Sequence, residues 1–536
     1  MNESTNENKT TNAKEALQNS PYYEKEKKEK SEIAYSPADI AFAWLSYLFG
    51  YLFCRAFPAL INPLGAFLTI TALFIASFVI FKIKKIKTNA ISLAAGISAV
   101  VVCSAIIITG SEFLGSLAFL YALASYCYFV YASLDNSIEK GFSDLIFIDY
   151  FKAIFVMPFY SLTKIFRAAS QGKAKHGMGF ILKVLSGLLL TAIPTVIVLI
   201  LLSYDEGFGQ LIDKIFSFDM EEIFSHIGSL ILAIPIGMYI FGLYASSTER
   251  LVSKAITAEG CKKGFEKAKI MPQLTALTAV LPIVFLYVVY FISQWKYYVS
   301  GFTGILPEDF SYAEYARDGF FELCAVSVIN LIIIITVVMF MRRGGKRTCP
   351  MLKIITTVFC ISTLILIATA IAKLVMYIDC YGLTQKRVYA MWLMVVIAIV
   401  YIIVALGQYI SRIKTVSTSL AVCIMLFAAL ALCNVNSIIA EYNVDRYIEG
   451  TLDTVDVSAM DDLGDSAIPA LVRLAEEFDA RKTAGEFYHH YLCRRVEERL
   501  EEKADIFKCY DESVFSFNFP EHRAKVALKE YGLIEK

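Results

Sequence analysis

Glu314, Asp318 and Glu322 recur every four residues in the string Tyr312-Ala-Glu314-Tyr315-Ala-Arg317-Asp318-Gly-Phe-Phe-Glu322. On a helix the three carboxylates share one face, and Arg317, three residues past Glu314, can pair with the first of them. The string runs into an apolar stretch. If hydrocarbon begins near Gly319, Glu322 lies roughly 5 Å below its edge at 1.5 Å rise per residue. A charge at that depth is costly and calls for a partner or a wet cavity. Lys373, six residues before Asp379 in the next apolar stretch, offers the partner. Such a group can shape an entrance for an ion, a proton or a small solute, or form a fixed ion pair that locks two helices. The candidate pathway residues are therefore Glu322, Lys373, Asp318, Arg317 and the deeper Asn330, with Glu314, Asp379, Lys386 and Arg387 as an outer rim. Asn330 suits an interhelical hydrogen bond better than a substrate contact.

The elements that must position these residues follow from hydropathy. The chain is 57% hydrophobic and 19% charged, more apolar and less charged than a soluble domain. Eleven stretches approach the roughly 20 residues a helix needs to cross a bilayer: 38–56, 60–81, 88–109, 113–134, 178–203, 225–245, 273–293, 317–341, 352–378, 388–411 and 416–438. Lipid offers no hydrogen-bond partner to the backbone, so the expectation is an all-α polytopic membrane bundle of about 11 helices with a small helical C-terminal extramembrane region. Pro58, Asn62 and Pro63 interrupt the first pair, which reads as two crossings or as one crossing and a re-entrant hairpin. Residues 1–37 are polar and read as a disordered cytoplasmic tail.

Charge sets the orientation. With the N-terminus inside, 23 Lys and Arg fall in inner loops and four in outer loops, which places the N-terminus in the cytoplasm and the segment from 440 outside it. Net charge is zero, and the bias serves orientation, so no nucleic-acid partner is indicated. The lipid bilayer is the partner the composition requires. The 440–536 tail holds 22 Asp and Glu against 13 Lys and Arg and reads as an acidic helical domain or collar, with Ser466 and Pro469 at a helix start. Phe487, Tyr491, Val496 and Leu500 mark one face of a following helix, and an exterior protein or envelope component is the partner this tail would meet. Oligomeric state is not legible.

The 145–170 segment differs from the spans. Phe147, Phe151, Ile154, Phe155, Leu162, Ile165 and Phe166 recur at helical spacing, with Lys152, Lys164 and Arg167 between them and Pro158 in the middle. That pattern predicts a helix lying in the inner interface, its cationic heads toward anionic lipid. Pro194, Pro235 and Pro282 sit near the centres of three spans, where proline kinks a helix or frees carbonyls to line a site.

Motifs of soluble enzymes are missing: there is no G-x-x-x-x-G-K-[ST], H-E-x-x-H or G-x-S-x-G. No catalytic residue, cofactor or metal is indicated. Ten of the twelve cysteines lie in or beside apolar stretches as small hydrophobes, leaving Cys493 and Cys509 in the tail as a disulfide or as two free thiols.

The strings Tyr315-Ala-Arg317-Asp318-Gly319-Phe320-Phe321-Glu322-Leu323, Ile329-Asn330-Leu331, Leu383-Thr384-Gln385-Lys386-Arg387-Val388-Tyr389 and Asn443-Val444-Asp445-Arg446-Tyr447 resemble a bacterial multi-pass membrane family known as a domain of unknown function, number four-one-seven-three. The resemblance covers roughly residues 180–530. It implies a bacterial plasma-membrane protein and no activity. Three functions are then expected in order: permease-like movement of an ion, proton or small solute; a non-transporting envelope scaffold using its exterior tail; and a membrane-embedded transferase acting on a lipid-linked substrate.

Overall fold

The computed structural model describes residues 35–56, 62–141, 143–170, 198, 202, 220–250, 257–293, 320–341, 350–410, 412–484, 489–509 and 513–534. Regular structure among them is helical throughout, with no strand. Ten of these helices are long and apolar enough to cross a membrane: Pro37–Ala56, Pro63–Ile83, Ala90–Ile108, Glu112–Ser133, Ser225–Glu249, Gln273–Ser293, Phe320–Val337, Pro350–Tyr381, Gln385–Gly407 and Thr415–Leu432. The broken pair Ile146–Tyr160 and Lys164–Ser170 would make eleven if counted as one span. The ten coincide with stretches read from hydropathy; the remaining stretch, 178–203, lies outside the described residues, as do Pro194 and the 1–34 tail. The first pair forms two separate helices of 20 and 21 residues, each of crossing length. Pro235 and Pro282 sit inside continuous helices.

The chain divides into two compact units. The first comprises Met1–Tyr51, Ala76–Lys85 and Ser161–Gly242. Close backbone approach organises it. A β-carbon on Gly50 would run into the Ala233 carbonyl, and one on Gly237 would lie 3.0 Å from Tyr47 Cα. Without a hydrophobic force between helices in lipid, such small-residue contacts supply the packing. Tyr51 Oη meets His226 Nδ1 at 2.7 Å across the same pair, and Lys84 pairs with Asp39 at 2.7 Å.

The second unit comprises Leu52–Ile75, Ile86–Tyr160 and Leu243–Lys536. One of its cores lies among the helices Gln273–Ser293, Phe320–Phe340, Pro350–Tyr381 and Gln385–Gly407, around Phe359, Cys360, Ala370 and Tyr401. A second core belongs to the C-terminal helices, around Val444, Leu474, Phe478, Val496, Leu500 and Leu528. Leu114 joins this core, and Leu383, Val388, Tyr389 and Phe427 pack against it, so the C-terminal helices are fused to the ends of several spans.

The last span stops earlier than its hydropathy predicts. Its helix ends at Leu432, and Asn434 turns the chain in the left-handed region at φ 43°. Asparagine tolerates that conformation because its short amide bonds locally. Here its Oδ1 accepts from Ser437 N at 3.4 Å, capping the helix Val435–Ile448, and from Ser466 Oγ at 3.1 Å. Ser466 thus braces the turn, and the helix predicted to start on it runs Ile468–Ala484 instead. Val496 and Leu500 face the core as their spacing predicts, whereas Tyr491 is exposed. Cys493 and Cys509 are free thiols.

Candidate functional site

The chemically unusual place in the second unit is the segment read as an interfacial helix. It runs α over Ile146–Phe151, π over Lys152–Val156 and α again over Met157–Tyr160. Proline supplies the physical reason. Pro158 has no N–H and its ring crowds the carbonyl four residues earlier, at Ile154, so one regular helical bond is lost, and the widened turn just before it accommodates the ring. Single π turns of this kind occur frequently at functional sites.

The widened turn sorts the side chains. Phe147, Phe151, Phe155 and Phe159 are exposed along one side, while Asp149, Lys152, Ala153 and Met157 are buried on the other. Lys152 is the correction to the sequence reading: in place of a lipid-facing cation it is 1% exposed. Its Nζ has no hydrogen-bond partner and sits 5.4 Å from the centroid of the Tyr131 ring. Asp149, 2% exposed, accepts from Tyr131 Oη at 2.8 Å and from Ile138 N at 3.1 Å. A buried ammonium and a buried carboxylate, one helical turn apart, share a tyrosine between them.

More polar atoms collect around this trio. Asn136 Nδ2 donates to Ser247 O at 2.8 Å and, more weakly, to the Tyr131 carbonyl at 3.4 Å, which brings the end of the helix Met220–Glu249 beside that of Glu112–Ser133. Asn136 Oδ1 and the hydroxyls of Ser133, Ser246 and Ser247 are buried without partners. Buried polar groups are almost always hydrogen-bonded, so such a concentration calls for explanation. The surrounding loop is pinned. Asp144 Oδ1 accepts from Val416 N at 3.0 Å and Ser417 N at 3.3 Å, holding the start of the last span. Glu139 pairs with Lys262, and that bond, with a second from Ser143, holds its carboxyl below the usual carboxylate range.

The residues singled out from sequence are not assembled into one site by the described contacts. Glu314, Arg317 and Asp318 lie outside the described residues. Glu322 is exposed, and among the described residues no ion pair joins it to Lys373. Asn330 is 1% exposed and committed to its neighbours, accepting from Tyr287 Oη at 2.6 Å and donating to Thr363 Oγ1 at 3.0 Å. With Tyr401 Oη donating to Ser327 O at 3.1 Å, it ties four helices together. Asp379 meets Arg446 at 3.9 Å, Arg387 stacks 4.1 Å from the Tyr377 ring and donates to the Tyr381 carbonyl at 3.0 Å, and Lys386 is exposed. These rim residues brace the end of the helix Pro350–Tyr381. An open trough of about 480 Å³ along Glu259, Lys262, Lys263, Glu266 and Lys267 is lined by one exposed helix alone. Among the described residues no group of three His, Cys, Asp or Glu could hold a metal ion.

A family model described as a domain of unknown function, DUF4153, matches residues 96–474. The chain belongs to the DUF4153 family. This overturns the family inferred from the strings at 315–331, 383–389 and 443–447, all of which fall within the DUF4153 match. No curated protein and no solved structure matches the chain. The buried trio Tyr131, Asp149 and Lys152, with Asn136 and Ser247, lies wholly inside the DUF4153 region, which comprises the polar cluster and the spans from Glu112 onward. A sequence signal for the trio did exist. Asp149 and Lys152 stand three residues apart on the face opposite an i, i+4 run of phenylalanines, the arrangement expected when the polar face meets protein and the aromatic face meets lipid.

Proposed function

We propose that this multi-pass membrane protein is permease-like, and that Asp149, Tyr131 and Lys152 form the site at which it takes up and releases a proton. The observation that carries this reading is Lys152 Nζ, fully buried and without a hydrogen-bond partner, beside a tyrosine already donating to a buried aspartate. An ionisable side chain buried without a hydrogen-bond partner is costly to keep, and in a membrane protein such groups usually belong to an ion or proton pathway. Asp149 is the proton acceptor, Tyr131 Oη the intervening donor, and Lys152 the group whose charge compensates the carboxylate. The unpartnered atoms of Ser133, Asn136, Ser246 and Ser247 are suited to bind buried water, which would carry the proton between trio and solvent. The lysine and arginine bias supports a plasma-membrane orientation with the N-terminus in the cytoplasm, which puts the trio at the inner ends of its helices and the C-terminal domain outside.

Proton binding at a buried site displaces charge even when no cosubstrate is present. Proteoliposomes adsorbed on a solid-supported membrane and given a pH jump should produce a transient current that Asp149→Asn abolishes. Wild-type protein giving no more current than protein-free vesicles would overturn the reading.

A second reading, an envelope scaffold, is favoured by a different observation: the C-terminal domain shares its core with span ends and is stitched to them by Asn434, Asn436 and Asn443. Such a rigid attachment suits presentation of a binding surface. Wild-type activity in the pH-jump experiment distinguishes the two.

A further inference from the structure

The segment Val514–Phe519 of the C-terminal domain carries four exposed apolar side chains in six residues and no charge. Val514 is 78% exposed and Phe515 57%, and Phe517 and Phe519 are exposed beside them. The segment is built to hold these side chains out. Ser513 Oγ accepts from Phe515 N at 3.3 Å, and Ser516 Oγ donates to Ser513 O at 2.7 Å, closing a short turn. Asn518 Oδ1 accepts from Glu521 N at 2.9 Å while its Nδ2 donates to Glu521 Oε2 at 2.8 Å, a reciprocal cap on the helix Phe519–Tyr531. Phe517 and Phe519 pack edge to face at 5.4 Å.

Its position identifies what covers it. A β-carbon on Gly65 would lie 3.6 Å from Phe515 Cβ, so Phe515 rests against the first turn of the span Pro63–Ile83. The aromatic segment therefore stands at the level where that span enters the membrane. We propose that Val514, Phe515, Phe517 and Phe519 insert into the interfacial zone of the bilayer leaflet on the C-terminal domain's side, anchoring the domain's far end to lipid. Aromatic side chains concentrate at this depth, where an apolar body is covered by acyl chains and the backbone stays hydrated. A partner protein or a second copy would need the same apolar surface, but only lipid is guaranteed by the adjoining span. The polar caps at Ser513 and Asn518 fit this assignment, since each leaves its backbone groups bonded without needing a partner chain.

The test places a tryptophan at the tip, Phe515→Trp, in the full-length protein reconstituted into nanodiscs, read as the difference from the parent with its three native tryptophans. With acyl-brominated lipid the added emission should be largely lost, and iodide in the buffer should quench it little. Full quenching by iodide with no effect of brominated lipid would overturn the proposal. Protection from both quenchers would also overturn it, showing that protein rather than lipid covers the segment.

Discussion

Tyr131 donates its hydroxyl to Asp149 across 2.8 Å, and the ammonium of Lys152 lies 5.4 Å from the centroid of the same ring. One aromatic side chain thus contacts two opposite buried charges that, among the described residues, make no direct ion pair. A structural salt bridge would bring the charges together. Holding them apart leaves Asp149 able to take up a proton without breaking an ion pair.

Lys152→Met follows from that geometry. An ammonium buried without a hydrogen-bond partner is costly, but it offsets the charge of Asp149, and removing one of two opposite buried charges leaves the other uncompensated. The variant should unfold at lower temperature in detergent, with a loss of about 3–5 kcal/mol where Asp149 is ionised, and Asp149→Asn should recover most of that loss in the double variant. Unchanged or raised thermal stability in Lys152→Met alone would show that the two charges do not compensate one another.

Tyr131→Phe should also destabilise, by a different route. It keeps the ring but leaves Asp149 with the backbone N–H of Ile138 as its remaining donor, at a cost of about 1–3 kcal/mol. Asp149→Asn should recover part of that loss in the double variant. Additive effects in the thermal-unfolding cycle would show that the two residues do not act together.

At the other end of the helices, Asn443 accepts from Leu383 N at 2.7 Å and donates to Leu383 O at 2.8 Å, as a strand partner would. Gly382, at φ 73°, makes room for it, because a β-carbon there would strike Asn443 Oδ1. Gly382→Ala is strained in its backbone and displaces the clamp together. Limited proteolysis should release the C-terminal domain faster from Gly382→Ala than from Asn443→Ala, which loses the two hydrogen bonds alone at about 1–3 kcal/mol. Unchanged digestion of both variants would mean that the shared apolar core holds the domain unaided.

Glu139 gives a pH dependence with a definite sign. Lys262 and Ser143 hold its folded pKa below the ordinary value, so its contribution is present above the unfolded carboxylate pKa and is lost as pH falls through the depressed folded value. Lys262 is exposed and Glu139 partly so, and solvent screening keeps the contribution of the pair small. Hydrogen exchange in 258–268, corrected for its intrinsic pH dependence, should rise on acidification through that window, and Glu139→Gln should remove the dependence. Equal acid sensitivity in both proteins would assign it elsewhere.

The spans were legible because bilayer thickness and backbone hydrogen bonding leave few alternatives for an apolar stretch of that length. The end of the last span was not, because Asn434 stops it by a left-handed turn while the hydropathy continues into Ile438 and Ile439, of which Ile439 is buried in the domain core. Asn330 read correctly as an interhelical residue from its polarity and depth. Lys152 misread for a reason that applies to any amphipathic segment: periodicity separates two faces but does not say which one meets water, lipid or protein. Here the phenylalanines are exposed and the charges of Asp149 and Lys152 turn inward against protein.

In the proposed function Asp149 exchanges a proton inside the protein. Infrared difference spectra of membrane films perfused between acidic and alkaline buffer read this directly, because a protonated carboxyl absorbs apart from a carboxylate. Wild-type protein should show a protonated-carboxyl band that appears with acidification, vanishes in Asp149→Asn and shifts in Tyr131→Phe. Superimposable spectra from wild-type protein and Asp149→Asn would contradict the claim.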